Sequence, residues 1–277
     1  MTWTVGRGRQ NATPPHIYSV ATLLLSHSMR VPCAPTAASC AASVRSRATR
    51  AAVTMQAASA AEPARLYYFH GRGRAEQSRW VLAAAEVPFV NMCLSTSAEF
   101  AALKRQGKLI FGQVPLLELD GLRLVQSQAI LRHVARTRNI AGADEREQAL
   151  ADQLAEACSD FRSALLGLPF NGNTQACASA VQRYAPIFES LLSESRQWVA
   201  AGQGMTYADA LLAEAVTGYS ELFGDAWLSE LPRLKAHRDR VCALPGVAAY
   251  LSSPLRFPFP AGKVAEKYVQ NVSTVLS

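Results

Sequence analysis

The stretch VPLLELDGLRLVQSQAILRHVART, residues 114–137, holds two short apolar runs, a turn and a helix. Asp120-Gly121 separates the runs. A tight two-residue hairpin needs positive φ at its centre, and Asp-Gly adopts that conformation readily. The spacing therefore predicts an antiparallel hairpin. The segment SQAILRHVART then reads as a helix with Ser127 at its N-cap.

Upstream, RLYYFH (65–70) reads as a short aromatic strand. AEQSRWVLAAA (75–85) carries Trp80, Val81 and Ala84 at helical spacing. VPFVNMCL (87–94) is a second strand, with Pro88 tolerable at its start. SAEFAALKRQG (97–107) is a helix capped by Ser97 and stopped by Gly107. The order is strand–helix–strand, helix, hairpin, helix. A βαβ unit joined to a ββα unit within about 75 residues is the thioredoxin-like α/β layout, placed here at residues 64–140.

Downstream the pattern changes. NIAGADERE (139–147) reads as a linker. Leu150, Leu154, Cys158, Phe161 and Leu165 then mark one face of a long helix. A second helical stretch runs from about Thr174 to Trp198. TYADALLAEAVTGYSELF (206–223) opens on Thr206 and Asp209, a capping-box pattern. Two shorter helices follow Pro232 and Gly246, and no strand signal occurs beyond residue 140. These features predict an all-helical domain over 146–260 and a C-terminal tail over 261–277.

The formal charge of +7 suggests a nucleic-acid partner, but its distribution excludes one. Residues 1–61 contain six arginines and no lysine, aspartate or glutamate. The remainder has 22 basic against 21 acidic residues, so no basic stripe follows a phosphate backbone. The Ala/Ser/Thr-rich leader over 1–62, acid-free until Glu62, has the composition of an organellar transit peptide. The run VRSRATRAAVTMQA (44–57) resembles plastid leaders; a mitochondrial leader, or a cytoplasmic protein with a plain tail, is the alternative. No stretch is long enough to span a bilayer, so no membrane partner is expected. Cys93, Cys158, Cys177 and Cys242 are scattered, without CxxC or a Cys/His cluster, which predicts no metal site.

HGRGRAE (70–76) tests a phosphate cradle and fails it. Gly71 and Gly73 are followed by Glu76 where a dinucleotide motif needs its third glycine. A carboxylate there repels pyrophosphate. Tyr68 offers another chemistry. It shares a strand face with Leu66, whereas Tyr67 and Phe69 share the other. It lies at the carboxyl end of its strand, where open α/β sheets place ligands. A tyrosine that only packs is the plain alternative.

Four segments, YYFHGRGRAEQSRWVLAAAEVPF, FGQVPLLELDG, LVQSQAILRHVART and RYAPIFE, occur in an order and spacing that resembles the cytosolic glutathione transferases. The resemblance is to their tyrosine type (alpha, pi, mu and sigma classes) and covers about residues 64–260. It implies an enzyme that conjugates the glutathione thiolate to hydrophobic electrophiles, as a homodimer, with glutathione as co-substrate and no other cofactor. It implies roles for single residues as well. Tyr68 falls where the family's tyrosine bonds the glutathione sulfur, and Arg74 where an arginine supports the thiolate. Gln113 and Val114 precede Pro115, the family's cis-proline, and the Val114 backbone pairs with the glutathione cysteine. Gln126 and Ser127 fall where the γ-glutamyl group is held, and Lys104 near the glycine carboxylate. Asp160 falls where an acid reaches the glutathione of the other subunit. Arg183 matches a second-domain arginine implicated in ionising the tripeptide. A sigma-like glutathione-dependent isomerase or peroxidase, and a non-catalytic ligand carrier of the same fold, remain the alternatives.

Three departures limit the match. His70 stands beside the site, LPFNGNTQACAS (168–179) is shorter than its alpha-class counterpart, and the tail reads equally as a lid or a frayed end. His70 and His133 have no partner pattern and are read as structural.

Overall fold

The computed structural model describes residues 62–200, 202 and 204–277. The expected leader over 1–62 therefore lies outside the described residues but for its last, Glu62.

Four strands, β1 (Ala64–Phe69), β2 (Phe89–Leu94), β3 (Leu116–Leu119) and β4 (Leu122–Val125), form one sheet in the order β2-β1-β3-β4. β1 and β2 are parallel, as a βαβ crossover requires, and place Tyr68 opposite Cys93. β3 runs antiparallel to both β1 and β4. Asp120 (φ 50°) and Gly121 (φ 78°) make the predicted turn, both in the left-handed region. Helices α1 (Glu76–Ala84), α2 (Ser97–Arg105) and α3 (Ser127–Thr137) complete a thioredoxin-like domain.

Helices α4 (Glu145–Asn171), α5 (Thr174–Leu191), α6 (Tyr207–Phe223), α7 (Pro232–Cys242), α8 (Pro245–Ser252) and α9 (Lys263–Leu276) follow. No strand occurs in this part among the described residues. The core is continuous from β1 through α1 to α6, whose Tyr207, Leu211, Leu212 and Tyr219 are buried.

Several boundaries differ from expectation, each for a local reason. Thr96, one residue before Ser97, caps α2: its hydroxyl accepts from Glu99 N–H at 3.3 Å, and Glu99 accepts from Thr96 N–H at 3.2 Å. Gly107 follows the helix end in the left-handed region, as predicted (φ 68°). The linker is shorter than expected, because Asp144 accepts from Glu147 N–H at 2.8 Å and starts α4 at Glu145. Helix α5 stops at Leu191 and does not reach Trp198. Ser193 and Arg196 close a turn there: Ser193 N–H donates to the Arg196 carbonyl at 2.9 Å, and Arg196 N–H donates to the Ser193 hydroxyl at 3.0 Å.

Helix α1 also departs from an amphipathic reading. Its residues from Glu76 to Ala83 are all buried, because α3, α6 and α8 pack around it and Arg79 reaches Asn91 on β2. The charged side chains are paired. Glu76 accepts from Arg79 at 3.0 Å and from the Tyr250 hydroxyl at 2.7 Å, and Arg79 donates to Asn91 at 2.8 Å. The neighbouring Arg79 holds the Glu76 carboxyl below its ordinary range despite burial. This cluster holds α1, and the turn before it, against both domains.

Candidate functional site

Tyr68 is buried at the end of β1. The chain after it turns through Gly71 to Gly73 into a single 3-10 turn over Gly73–Ala75. That turn returns the Arg74 backbone to the strand end, and Arg74 N–H donates to the Tyr68 hydroxyl at 2.9 Å. Gly73 sits at φ 38°, and a Cβ on it would run into the Tyr68 and Tyr268 hydroxyls. Tyr67 points to the opposite face. Its hydroxyl donates to Glu118 at 2.9 Å, and burial with that carboxylate pushes its pKa up.

A cavity of about 460 Å³ opens beside Tyr68. Of the predicted residues, Tyr68, Arg74, Gln113, Val114, Pro115, Gln126 and Ser127 all line it. The Val114–Pro115 peptide is cis. Among the described residues, no carboxylate side chain lines the cavity.

Ser127 is the first residue of α3, and Gln126 holds the N-cap position without a capping side-chain bond. This corrects the assignment of Ser127 as N-cap. Gln126 lies at φ 73°, a conformation non-glycine residues rarely adopt. Such strain persists where the surroundings enforce it and concentrates at ligand sites. The Gln126 side chain reaches Gln113 at 3.4 Å, so the two amides lie side by side. The free N–H groups of α3 and its partial positive charge favour an anion at this end.

The other predicted residues are not at the cavity wall. Lys104 stands behind Phe100, with its ammonium 4.7 Å from the ring centre, and Phe100 lines the cavity. Asp160 is exposed on α4. Arg183 is exposed on α5, its guanidinium 5.0 Å from the Tyr184 ring centre. The single chain brings neither to Tyr68.

The sequence reading missed Phe69, Phe100, Gly112 and Leu276 in the lining, and Tyr268 beside it. Tyr268 is buried, and its hydroxyl is 3.4 Å from that of Tyr68. Burial next to Tyr68 pushes its pKa far up. Helix α9 is thus ordered along the site. Asn271 accepts from His70 N–H at 2.8 Å and donates to the Leu94 carbonyl at 2.9 Å. Only the reading of the tail as a lid pointed to this packing. Among the described residues, no helix is long and apolar enough to cross a membrane.

This architecture defines a class: a thioredoxin-like domain with a tyrosine-floored, carboxylate-free cavity, joined to a helical domain. Residues 64–136 match the model of the glutathione S-transferase N-terminal domain, and residues 159–254 that of the C-terminal domain. The chain is 37% identical to glutathione S-transferase 3 of Gallus gallus, over 78% of this chain and 96% of the relative. It is 36% identical to glutathione S-transferase alpha-4 of Rattus norvegicus, over 76% and 97%. A solved glutathione S-transferase from Ascaris lumbricoides superimposes with a TM-score of 0.60 at 28% identity, over 72% of this chain and all of that one. The chain belongs to the cytosolic glutathione S-transferase family.

Proposed function

We propose that the cavity holds glutathione with its sulfur at Tyr68. The protein is a glutathione transferase, and the reading concerns how its residues perform that activity. The observation that carries it is the Tyr68 hydroxyl. It accepts from Arg74 N–H, and with the Tyr268 hydroxyl also donating to it at 3.4 Å its own hydrogen is left to donate into the cavity. A thiolate there receives a hydrogen bond in a partly desolvated site, where such bonds to charged acceptors are strongest. Arg74 adds positive charge at the wall. Gln126, Ser127 and the start of α3 suit the γ-glutamyl carboxylate, and Lys104 the glycine carboxylate. The Val114 backbone, before Pro115, suits the cysteine portion of the tripeptide. A hydrophobic electrophile then lies between the domains, beside Tyr268, Phe170 and Leu276.

The test is to assay the protein without residues 1–62 for conjugation, isomerisation and peroxide reduction, each with glutathione. Conjugation is the expected activity. Isomerisation or peroxide reduction without conjugation would favour the sigma-like alternative, and glutathione binding without turnover the carrier.

The domain division at 64–140 and 146–260 belongs to this reading, as does a lid role for the tail. Helix α9 supports the latter through Tyr268 and Asn271. Ending the chain after Gly262 is expected to raise the KM for the electrophile more than that for glutathione. Steady-state kinetics with each substrate varied would show it, and equal effects would remove the lid.

The reading includes a two-fold homodimer. Ile110 and Phe111 are 74% and 62% exposed, between α2 and the hairpin. An aromatic ring so placed suits insertion into a partner's helices, and burying it contributes roughly 1.5–3 kcal/mol per copy. Asp160, exposed and outside the lining of the chain's own cavity, would then serve the glutathione of the partner, and Arg183 would help ionise the tripeptide. Phe111→Ala is expected to weaken the dimer and glutathione affinity together. Asp160→Asn is expected to lower affinity and leave the dimer intact. Sedimentation with calorimetric glutathione titration separates the two, and a fully active parent monomer would end the dimer reading.

The leader is read as a plastid transit peptide, cut between about Arg50 and Glu62. Residues 1–62 fused to a fluorescent reporter are expected to carry it into plastids. A reporter that stays cytosolic or is secreted would refute import.

A further inference from the structure

One buried ion pair on the helical domain is aimed at the peptide that serves Tyr68. Arg162 on α4 is 4% exposed. Its Nε donates to Glu214 Oε1 on α6 at 2.8 Å, and Glu214 is 7% exposed. Its Nη2 donates to the Gly73 carbonyl at 2.7 Å. Its Nη1 is buried and has no hydrogen-bond partner among the described residues.

Gly73 C=O and Arg74 N–H are the two ends of a single peptide unit. The guanidinium therefore binds one end of the amide whose other end donates to the Tyr68 hydroxyl at 2.9 Å. We propose that Arg162, with Glu214, is a positioning residue for the reaction, setting the donor strength of Tyr68 through the Gly73–Arg74 peptide.

A buried ion pair is a poor source of stability, since desolvating two charges cancels most of their attraction. An apolar pair would fill the space between α4 and α6 at lower cost, so the pair calls for another role. A cation on a carbonyl oxygen polarises the amide, and hydrogen bonds joined in a chain strengthen one another, by roughly 10–30% per bond. A stronger N–H donor on the Tyr68 oxygen makes the phenolic hydrogen a better donor in turn. That hydrogen is the one offered to the glutathione sulfur.

Glu214 sets the size of the effect. Its carboxylate offsets the guanidinium, and burial pushes its pKa up. Arg72 and Glu76, on the α/β domain, are the other charged groups that act on it, and both stay unchanged in the variants below. Removing the cation and removing its counter-charge therefore shift Tyr68 in opposite directions. A purely structural brace would be weakened by both changes.

The inference rests on the assignment of Tyr68, so the experiment includes Tyr68→Phe as a control. The readout is the pKa of the glutathione thiol bound to the full chain, from ultraviolet difference titration, with kcat and KM measured separately. Arg162→Met is expected to raise the thiol pKa by roughly 0.5–1 unit, or three- to tenfold less thiolate per molecule at low pH, with the glutathione KM changed less than about twofold. Arg162→Lys keeps the cation and is expected to recover part of the shift. Glu214→Gln keeps a hydrogen-bond acceptor without the charge and is expected to lower the thiol pKa. A folded Arg162→Met protein with the parent's thiol pKa overturns the proposal. Should that variant fail to fold, Glu214→Gln decides it: a lowered pKa supports the proposal, and an unchanged or raised one overturns it. An unchanged pKa in Tyr68→Phe would instead sink the Tyr68 assignment itself. A shift in Tyr68→Phe alone would sink only the role of Arg162.

Discussion

Tyr68→Phe is expected to cut conjugation by roughly 4- to 25-fold at pH 7 and by less than about twofold at pH 9, with the fold intact. A free thiol with pKa near 8.5 is only about 3% thiolate at pH 7, and lowering it by ~2 units makes about three quarters thiolate. That shift needs about 2.7 kcal/mol. A hydrogen bond to a charged acceptor contributes roughly 1.5–3 kcal/mol, so the Tyr68 hydroxyl can supply most of it. The remainder falls to Arg74 and the start of α3. The sign follows directly: losing the donor raises the bound thiol pKa, and the acid limb of kcat/KM moves to higher pH. The ring keeps its packing in phenylalanine, and the local losses are the acceptor for Arg74 N–H and the contact with the Tyr268 hydroxyl. Tyr67→Phe is the matched control, because that hydroxyl faces Glu118 on the far side of the sheet. Difference titration of bound glutathione checks both variants. A thiol pKa unmoved in Tyr68→Phe would take Tyr68 out of the mechanism.

What the sequence disclosed follows from how local each signal is. Asp120-Gly121 dictates its own turn, and Thr206 with Asp209 marks its own helix start, so both were legible. Strand alternation separated Tyr68 from Tyr67, and the faces found agree with it. The start of α3 was misplaced by one residue because the cue, a serine, was not the residue that takes the unusual conformation. Gln126 takes it, and nothing in a glutamine announces φ 73°. The buried face of α1 was hidden for another reason. Glu76 and Arg79 look solvent-facing until Tyr250 and Asn91 are brought to them, and Tyr250 is 174 residues away. Tyr268 and Arg162 were missed likewise. Each acts on the Tyr68 turn from the helical domain, and no spacing rule links residues so far apart in the chain.

The largest stability loss is expected from Asp209→Ala. Asp209 is fully buried at the start of α6, the helix on which α1, α4 and α7 pack. One carboxylate oxygen accepts from Val199 N–H at 2.8 Å and lies 2.8 Å from His237 Nε2. The other accepts from Thr206 N–H at 2.8 Å and from the Thr206 hydroxyl at 3.0 Å. Alanine leaves these donors buried without an acceptor. Each orphaned donor costs roughly 1–3 kcal/mol, and the losses do not add fully, so about 4–6 kcal/mol is expected in total. Domains are stable by only about 5–15 kcal/mol, so the variant sits near the edge of folding. Thr206→Ala tests the attribution, since it removes the hydroxyl and keeps the backbone donor; about 1 kcal/mol is expected. Urea unfolding of both variants would show the ordering, with glutathione absent so that binding does not mask it. Because α6 supports α1 and the turn that carries Gly73 and Arg74, activity is expected to fall in step with the folded fraction, with the thiol pKa of the folded remainder unchanged. An Asp209→Ala protein within about 1 kcal/mol of the parent would mean that water reaches these donors and that the carboxylate does not hold α6 in place.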